Sequence, residues 1–221
     1  MITPRLNSIL NNISGNTMAD IGTDHAYIPI ELVRENMVNR AIACDIRPGP
    51  LEIAQKNVKK YGLDGKIELR LGAGFKPLLL GETETVVVAG MGGEMIINIL
   101  SEDLKKSKSF KELILQPMNC QAELRRWLAE NGFSVFKEDL ALEGFKIYNL
   151  LAVRPEKGGN YVHEIDYHLP PELTSHPLFC KLKEKKIREF TKIRSGLLKA
   201  EKKDGLMIEK YTNLLKECEK I

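Results

Sequence analysis

The chain has 221 residues, 43% hydrophobic and 29% charged, with a formal net charge of +3. That balance excludes a disordered chain, a collagen and a disulfide-stapled miniprotein, and no run approaches the roughly 18 apolar residues of a membrane span. The charge is unevenly spread: residues 172–221 hold 13 basic and 8 acidic side chains, net +5, against 20 and 22, net −2, in residues 1–171.

In chain order, Leu6, Ile9, Leu10 and Ile13 have helical spacing and stop at the turn cluster Ser14-Gly15-Asn16. The short apolar strand Thr17–Ile21 follows, then a helix over Ile28–Met37 and a second strand, Ala41–Cys44, ending in Asp45. Gly49–Tyr61 reads as a helix with Leu51, Ala54 and Val58 on its apolar side, and Lys66–Leu71 as a third strand. Thr85–Ala89 is a continuous valine-rich run of the fully buried kind. A helix over Glu94–Leu104, a strand at Leu113–Leu115 and a helix over Gln121–Glu130 continue the alternation. Two longer strands, Phe133–Leu142 and Phe145–Val153, are joined by the tight turn Glu143-Gly144. Strand–helix alternation predicts a doubly wound α/β fold with a parallel sheet, and the tight turn predicts an antiparallel edge hairpin. This is the layout of a class I S-adenosylmethionine methyltransferase, an analogy of fold and not of chemistry.

Pro155–Pro171, with Gly158-Gly159 and Pro170-Pro171, reads as a linker that includes a short extended piece. Helices are expected over Pro177–Leu198 and Leu206–Glu219, broken at Asp204-Gly205. Their apolar positions (Leu182, Ile187, Phe190, Ile193, Leu197; Ile208, Tyr211, Leu215, Cys218) predict an antiparallel coiled-coil hairpin. The expected domains are thus 1–155, a linker at 156–176, and a helical hairpin at 177–221. The basic excess of that tail marks a solvated helical face or a surface for an anionic partner. Cys44, Cys120, Cys180 and Cys218 form no C-x-x-C pair or zinc spacing, so reduced thiols and no metal are expected. The first ten residues lack an apolar leader core, which with the thiols predicts a cytoplasmic protein.

Chemistry-bearing residues gather where strands end, where open α/β sheets bind ligands. Asp20-Ile-Gly22-Thr23-Asp24-His25 follows the first strand, and Asp24 stands where a dinucleotide fingerprint needs its second glycine, which argues against NAD and FAD. The second strand ends at Asp45, an acid at about the offset that meets a ribose hydroxyl in nucleotide-binding folds. Gly72-Ala73-Gly74 after the third strand suggests close backbone approach by an adenine ring. Gly90-Met91-Gly92-Gly93 after the valine run reads as a tight floor, and Gln116-Pro117-Met118-Asn119 offers side-chain amides for a base edge. Each run has a bland reading as a connecting turn; their coincidence on one sheet edge is the strong signal.

The runs Ala19-Asp-Ile-Gly-Thr-Asp-His-Ala-Tyr-Ile-Pro29, Gly49-Pro-Leu51, Ala89-Gly-Met-Gly-Gly93 and Leu113-Ile-Leu-Gln-Pro117 closely resemble the bacterial tRNA adenine N1-methyltransferases of the TrmK type, which modify adenine 22. The resemblance covers nearly the whole chain. It implies an S-adenosylmethionine site formed by Asp20, Gly22, Thr23, Asp45, Ile46, Gly72, Ala73, Gly74, Gly90, Met91 and Gly92, with Asp45 on the ribose hydroxyls. It also implies that Asp24, His25, Tyr27 and Gln116 face the entering base. Asp24 either stabilises positive charge on the methylated base or binds the methionine ammonium. The chain departs from the family pattern at Ala73, usually acidic, and at Met118, usually Asn. Lys181, Lys183, Lys185, Lys186, Arg188, Lys192 and Arg194 become the expected phosphate-contacting surface for tRNA. A monomer is expected, with the tail as the surface through which a dimer would form. Two other functions share these residues: the same fold acting on a small molecule or protein, and a catalytically weak RNA-binding module.

Overall fold

The computed structural model describes residues 2–158 and 161–221. They fall into two compact units, Met1–Gly159 and Asn160–Ile221. Of the glycine pair that marks the expected linker, Gly159 lies outside the described residues.

The first unit opens with α1 (Pro4–Leu10). The Thr3 hydroxyl accepts the Leu6 N–H, and Pro4 sits in the first turn, where its missing N–H costs nothing. Then come β1 (Thr17–Ile21), α2 (Tyr27–Arg34), β2 (Arg40–Asp45), α3 (Pro48–Lys60), β3 (Ile67–Leu71) and β4 (Thr85–Met91). They are followed by α4 (Gly93–Glu102), the single turn α5 (Leu104–Ser107), β5 (Glu112–Pro117), α6 (Gln121–Glu130), β6 (Ser134–Glu143) and β7 (Lys146–Arg154). The seven strands form one sheet in the order β3-β2-β1-β4-β5-β7-β6. The first five are mutually parallel, and β7 runs antiparallel to both β5 and β6. This is the expected Rossmann-like layout with its antiparallel edge hairpin. Strand order reverses between β1 and β4, so their carboxyl ends open a crevice.

Both faces of the central parallel strands are covered, which is why β2 and β4 read as apolar runs, whereas the edge strand β3 alternates Ile67, Leu69 and Leu71 with Glu68 and Arg70. Met18, Ala41, Ala43, Val87 and Ile114 pack with Ile9 and Leu10 of α1, Leu32 and Val33 of α2, and Ala54 and Val58 of α3. The alternate residues Ala19, Ile42, Val86, Val88 and Leu115 are equally buried, as are Ile96 and Leu100 of α4, which packs on β4, β5 and α6. Each valine, leucine, isoleucine or methionine among them contributes about 1.5–3 kcal/mol on full burial.

Two helix ends differ from the sequence reading, and one buried ion pair lay outside it. Helix α2 stops at Arg34, three residues early, because Asn36 takes a left-handed φ of 55° and the Met37 N–H returns to the Leu32 carbonyl. Asp103, with φ −142°, ends α4 and caps the separate turn α5 through the Lys106 N–H. The guanidinium of Arg125 in α6 is fully buried and meets the Glu138 carboxylate at 2.6 Å and Asn149 Oδ1 at 3.0 Å. Nearby, Trp127 stacks on Phe133 with ring centroids 5.9 Å apart.

The second unit contains α7 (Phe179–Lys199) and α8 (Gly205–Lys220), a helical hairpin as expected. Asp204 caps α8 by accepting the Met207 N–H. The seam is formed by Phe179, Leu182, Lys186 and Phe190 from α7 and by Leu214 and Cys218 from α8. Leu214, not Leu215, is the fully buried leucine, and Ile193 is 40% exposed. The stretch read as linker carries two short 3-10 turns, Glu164–Tyr167 and Pro171–Leu173, instead of an extended piece. Ile165, Leu169 and Leu173 are buried there, and Glu164 pairs with Lys210 of α8 at 2.8 Å.

Candidate active site

The crevice at the switch point is a cavity of about 990 Å³. Its wall is built from the turns after β1, β2, β3 and β4, together with α1 and α4.

After β1 the backbone turns at Gly22, whose φ is +75° and whose N–H bonds the Cys44 carbonyl at 2.8 Å. A Cβ at Gly22 would collide with the Met91 methyl group. Asp20 is buried and accepts the Thr23 hydroxyl at 2.7 Å. Burial raises its carboxyl from 3.8 to about 6; the Thr23 hydrogen bond opposes this, the Asp45 charge adds to it, and the Arg5 charge opposes it. Asp24 and Ala26 both take left-handed backbone, with φ of 53° and 58°. For residues with a Cβ this costs roughly 1–2 kcal/mol each. The turn is held against that strain by Asn57, whose amide donates to the His25 carbonyl at 2.9 Å. The turn lifts three side chains to the rim: Asp24 Oδ2 lies 3.2 Å from His25 Nε2, and the His25 and Tyr27 rings are 5.2 Å apart.

At the end of β2, Asp45 is buried and accepts the Arg47 N–H at 2.9 Å and the Asp24 N–H at 3.4 Å. These two backbone donors fix a carboxylate that faces the cavity beside exposed Ile46. Pro48 sets the rigid turn by holding Arg47 extended ahead of α3. After β3, Gly72, Ala73 and Gly74 bring bare backbone to the wall. β4 carries a register shift between Ala89 and Met91 with Gly90 at φ +77°, and these residues line the cavity before Gly92 caps α4. A Cβ on Gly93 would stand 2.5 Å from the Cys120 carbonyl oxygen, so α4 begins pressed against the turn after β5.

The structure therefore brings together Asp20, Gly22, Thr23, Asp24, His25, Tyr27, Asp45, Ile46, Gly72, Ala73, Gly74, Gly90, Met91 and Gly92. Gln116 is not with them. It is buried behind the wall, where Oε1 accepts from Arg5 Nη1 at 3.1 Å and Nε2 donates to the Pro117 carbonyl at 3.2 Å. Asn119 is likewise engaged, its Oδ1 accepting the Gly93 N–H. Residues that the sequence reading missed also line the cavity: Arg5 and Leu6 of α1, Arg47, and Met95, Asn98, Ile99 and Glu102 of α4. The only sequence signal for the last group was two polar residues four apart on a helix that starts from a glycine run. Among the described residues no group of three or more His, Cys, Asp or Glu is arranged to hold a metal.

On α7, Lys181, Arg188 and Lys192 are exposed, and Lys183, Lys185 and Arg194 are half-buried. Lys186 departs from the expected surface: it is buried on the seam, with Nζ 2.9 Å from Glu189.

The model of the methyltransferase domain family matches residues 2–151. The chain belongs to that family. The Bacillus subtilis tRNA (adenine(22)-N(1))-methyltransferase is 36% identical over 151 residues, which are 68% of this chain and 63% of that protein. Among solved structures, Streptococcus pneumoniae Sp1610 in complex with S-adenosyl-L-methionine is 30% identical, with a TM-score of 0.86 over 100% of this chain and 99% of that one. M. capricolum TrmK in complex with S-adenosyl-homocysteine is 29% identical, with a TM-score of 0.84 over 100% and 97%. No helix among the described residues is long and apolar enough to cross a membrane.

Proposed function

We propose that this methyltransferase uses S-adenosylmethionine to methylate N1 of adenine 22 in tRNA. What carries the reading is the convergence of four strand-end turns and two buried carboxylates on one cavity, in a chain that superposes over its full length on TrmK. The wall suits the cofactor. Asp45 is an acceptor for vicinal ribose hydroxyls, Asp20 a counter-ion for an ammonium group, and Gly22 and Gly90 leave room that side chains would fill. When bound, the cofactor supplies an electrophilic sulfonium methyl group.

The chain's own residues do the rest. Adenine N1 carries its own lone pair, so no strong base is required and positioning supplies most of the acceleration. Tyr27 and His25 form an aromatic rim against which the base rests. Asp24 faces the charge that develops on the methylated base, while Asp20 deeper in the wall takes the amino-acid end of the cofactor. N1 lies on the Watson–Crick edge, so the target base leaves any pairing before it enters. Lys181, Lys185, Arg188 and Lys192 recur at 4, 3 and 4 residues on α7, one stripe suited to phosphates. The chain acts in the cytoplasm as a monomer, in keeping with Cys44, Cys120, Cys180 and Cys218, which form no disulfide.

The test is purified full-length protein with labelled S-adenosylmethionine and unmodified tRNA, followed by nucleoside mass spectrometry and mapping of the modified position. N1-methyladenosine at position 22 is expected. Methyl transfer to protein or small molecules alone, or no transfer despite cofactor binding, overturns it.

A further inference from the structure

Glu102, the last residue of α4, is the wall carboxylate that the roles above leave unassigned. It rests on the reading of the cavity as a cofactor site. With the ribose hydroxyls on Asp45 at the end of β2, the nucleobase must lie over a neighbouring strand end, β1 or β3. The β1 end is filled by the Asp20–Thr23 pair and the left-handed turn beyond it. The β3 end is bare: Gly72, Ala73 and Gly74 form its floor and Ile46 and Ile99 its apolar sides, a slot suited to a flat ring. A Cβ on Gly74 would lie 3.4 Å from Ile99 Cγ2 and 3.8 Å from Glu102 Oε2, so the carboxylate stands at the edge of this slot. Its other oxygen, Oε1, pairs with Lys76 Nζ at 2.5 Å on the solvent side, where the two side chains are 49% and 65% exposed.

We propose that Glu102 is the base-specificity residue of the cofactor site, accepting a hydrogen bond from the 6-amino group of a purine. A carboxylate accepts and does not donate. It therefore favours a base edge bearing an amino group and opposes one bearing a carbonyl oxygen.

The experiment is calorimetric titration of the full-length chain with S-adenosylhomocysteine and with S-inosylhomocysteine, which carries oxygen in place of the 6-amino group. The native chain should prefer the adenosyl ligand about tenfold, the size of one hydrogen bond to a charged group. Glu102→Ala should bring the two affinities within about threefold of each other, by weakening the adenosyl ligand while sparing the inosyl one; Lys76→Ala should retain most of the preference. A preference that survives Glu102→Ala overturns the proposal. So does equal weakening of both ligands, which would mark a purely structural role. If the native chain binds neither ligand, the cofactor reading fails with it; if it binds both and Glu102→Ala does not change their ratio, only the role of Glu102 fails.

Discussion

The two units use charge in opposite ways. The sheet unit, beside its many solvated charges, holds a small set that is buried and individually placed: Asp20, Asp45, and the Arg125–Glu138 pair. In the helical unit, buried Lys186 and Asp166 apart, the charges are solvated and repeated, with side-chain pairs such as Arg188–Glu184 at 3.9 Å and 72% and 67% exposed. A buried charge is set by its immediate partners and is intolerant of change, whereas a solvated array works by its sum. Substitution should therefore produce large, specific losses in the first unit and small, graded ones in the second.

The largest effect is expected at Arg125. Replacement by Met leaves Glu138 buried without its guanidinium, and urea unfolding should show a loss of about 3–5 kcal/mol. A change below about 1 kcal/mol would place this pair with the surface ones and erase the contrast.

Asp20 comes next, and pH gives the sign. Between 3.8 and about 6 the folded chain holds a proton that the unfolded chain has released. Folding therefore weakens as pH rises through that window, and a penalty of up to about 3 kcal/mol persists above it. Asp20→Asn should stabilise the protein at pH 8 by up to that amount, with the gain vanishing near pH 3.5, while S-adenosylhomocysteine binding falls. In the native chain that binding should itself weaken as pH drops below about 6, as the carboxylate protonates. Stability unchanged at pH 8 would show that Asp20 is better solvated than its burial indicates.

Asp45→Ala follows. Loss of a charged acceptor should weaken S-adenosylhomocysteine by about 1.5–3 kcal/mol in calorimetry, and the Arg47 and Asp24 N–H groups that lose their acceptor should lower unfolding stability by about 1 kcal/mol.

The smallest effects per residue belong to α7. Replacing Lys181, Lys185, Arg188 and Lys192 together by Gln should lower tRNA affinity and leave cofactor binding intact. The slope of log affinity against log salt should fall by about 0.7–0.9 for each phosphate that is no longer neutralised. An unchanged slope would show that the stripe is only a solvated face.

The two units also differed in how readily their sequences could be interpreted. The central parallel strands were legible because burial on both faces produces apolar runs, the edge strand β3 by its alternation, and the site turns because Gly22, Gly74 and Gly90 stand where the backbone requires positive φ. Of the site, most strand-end residues were placed by that logic. Arg5, Asn98 and Glu102 were missed because helical periodicity separates buried from exposed but says nothing of which polar edge borders a cavity. Gln116 was misplaced for a related reason: in a strand buried on both faces, an amide can as readily serve an internal hydrogen bond, here to Arg5, as a ligand. In the tail, spacing predicted two helices yet could not tell Lys186, buried on the seam, from its solvated neighbours. Likewise, a proline- and glycine-containing stretch hid two packed 3-10 turns because their few apolar residues show no period.

The Trp127–Phe133 stack makes one part of the molecule optically visible. Trp127 is the chain's single tryptophan and lies in α6, with its ring partner at the start of the edge hairpin. Excited at 295 nm, where tyrosine scarcely absorbs, the protein emits from the sheet unit alone, whereas far-ultraviolet circular dichroism also registers the α7–α8 helices. Coincident melting curves from the two signals would establish a single cooperative transition, and separated ones would assign each midpoint to its own unit without truncating the chain.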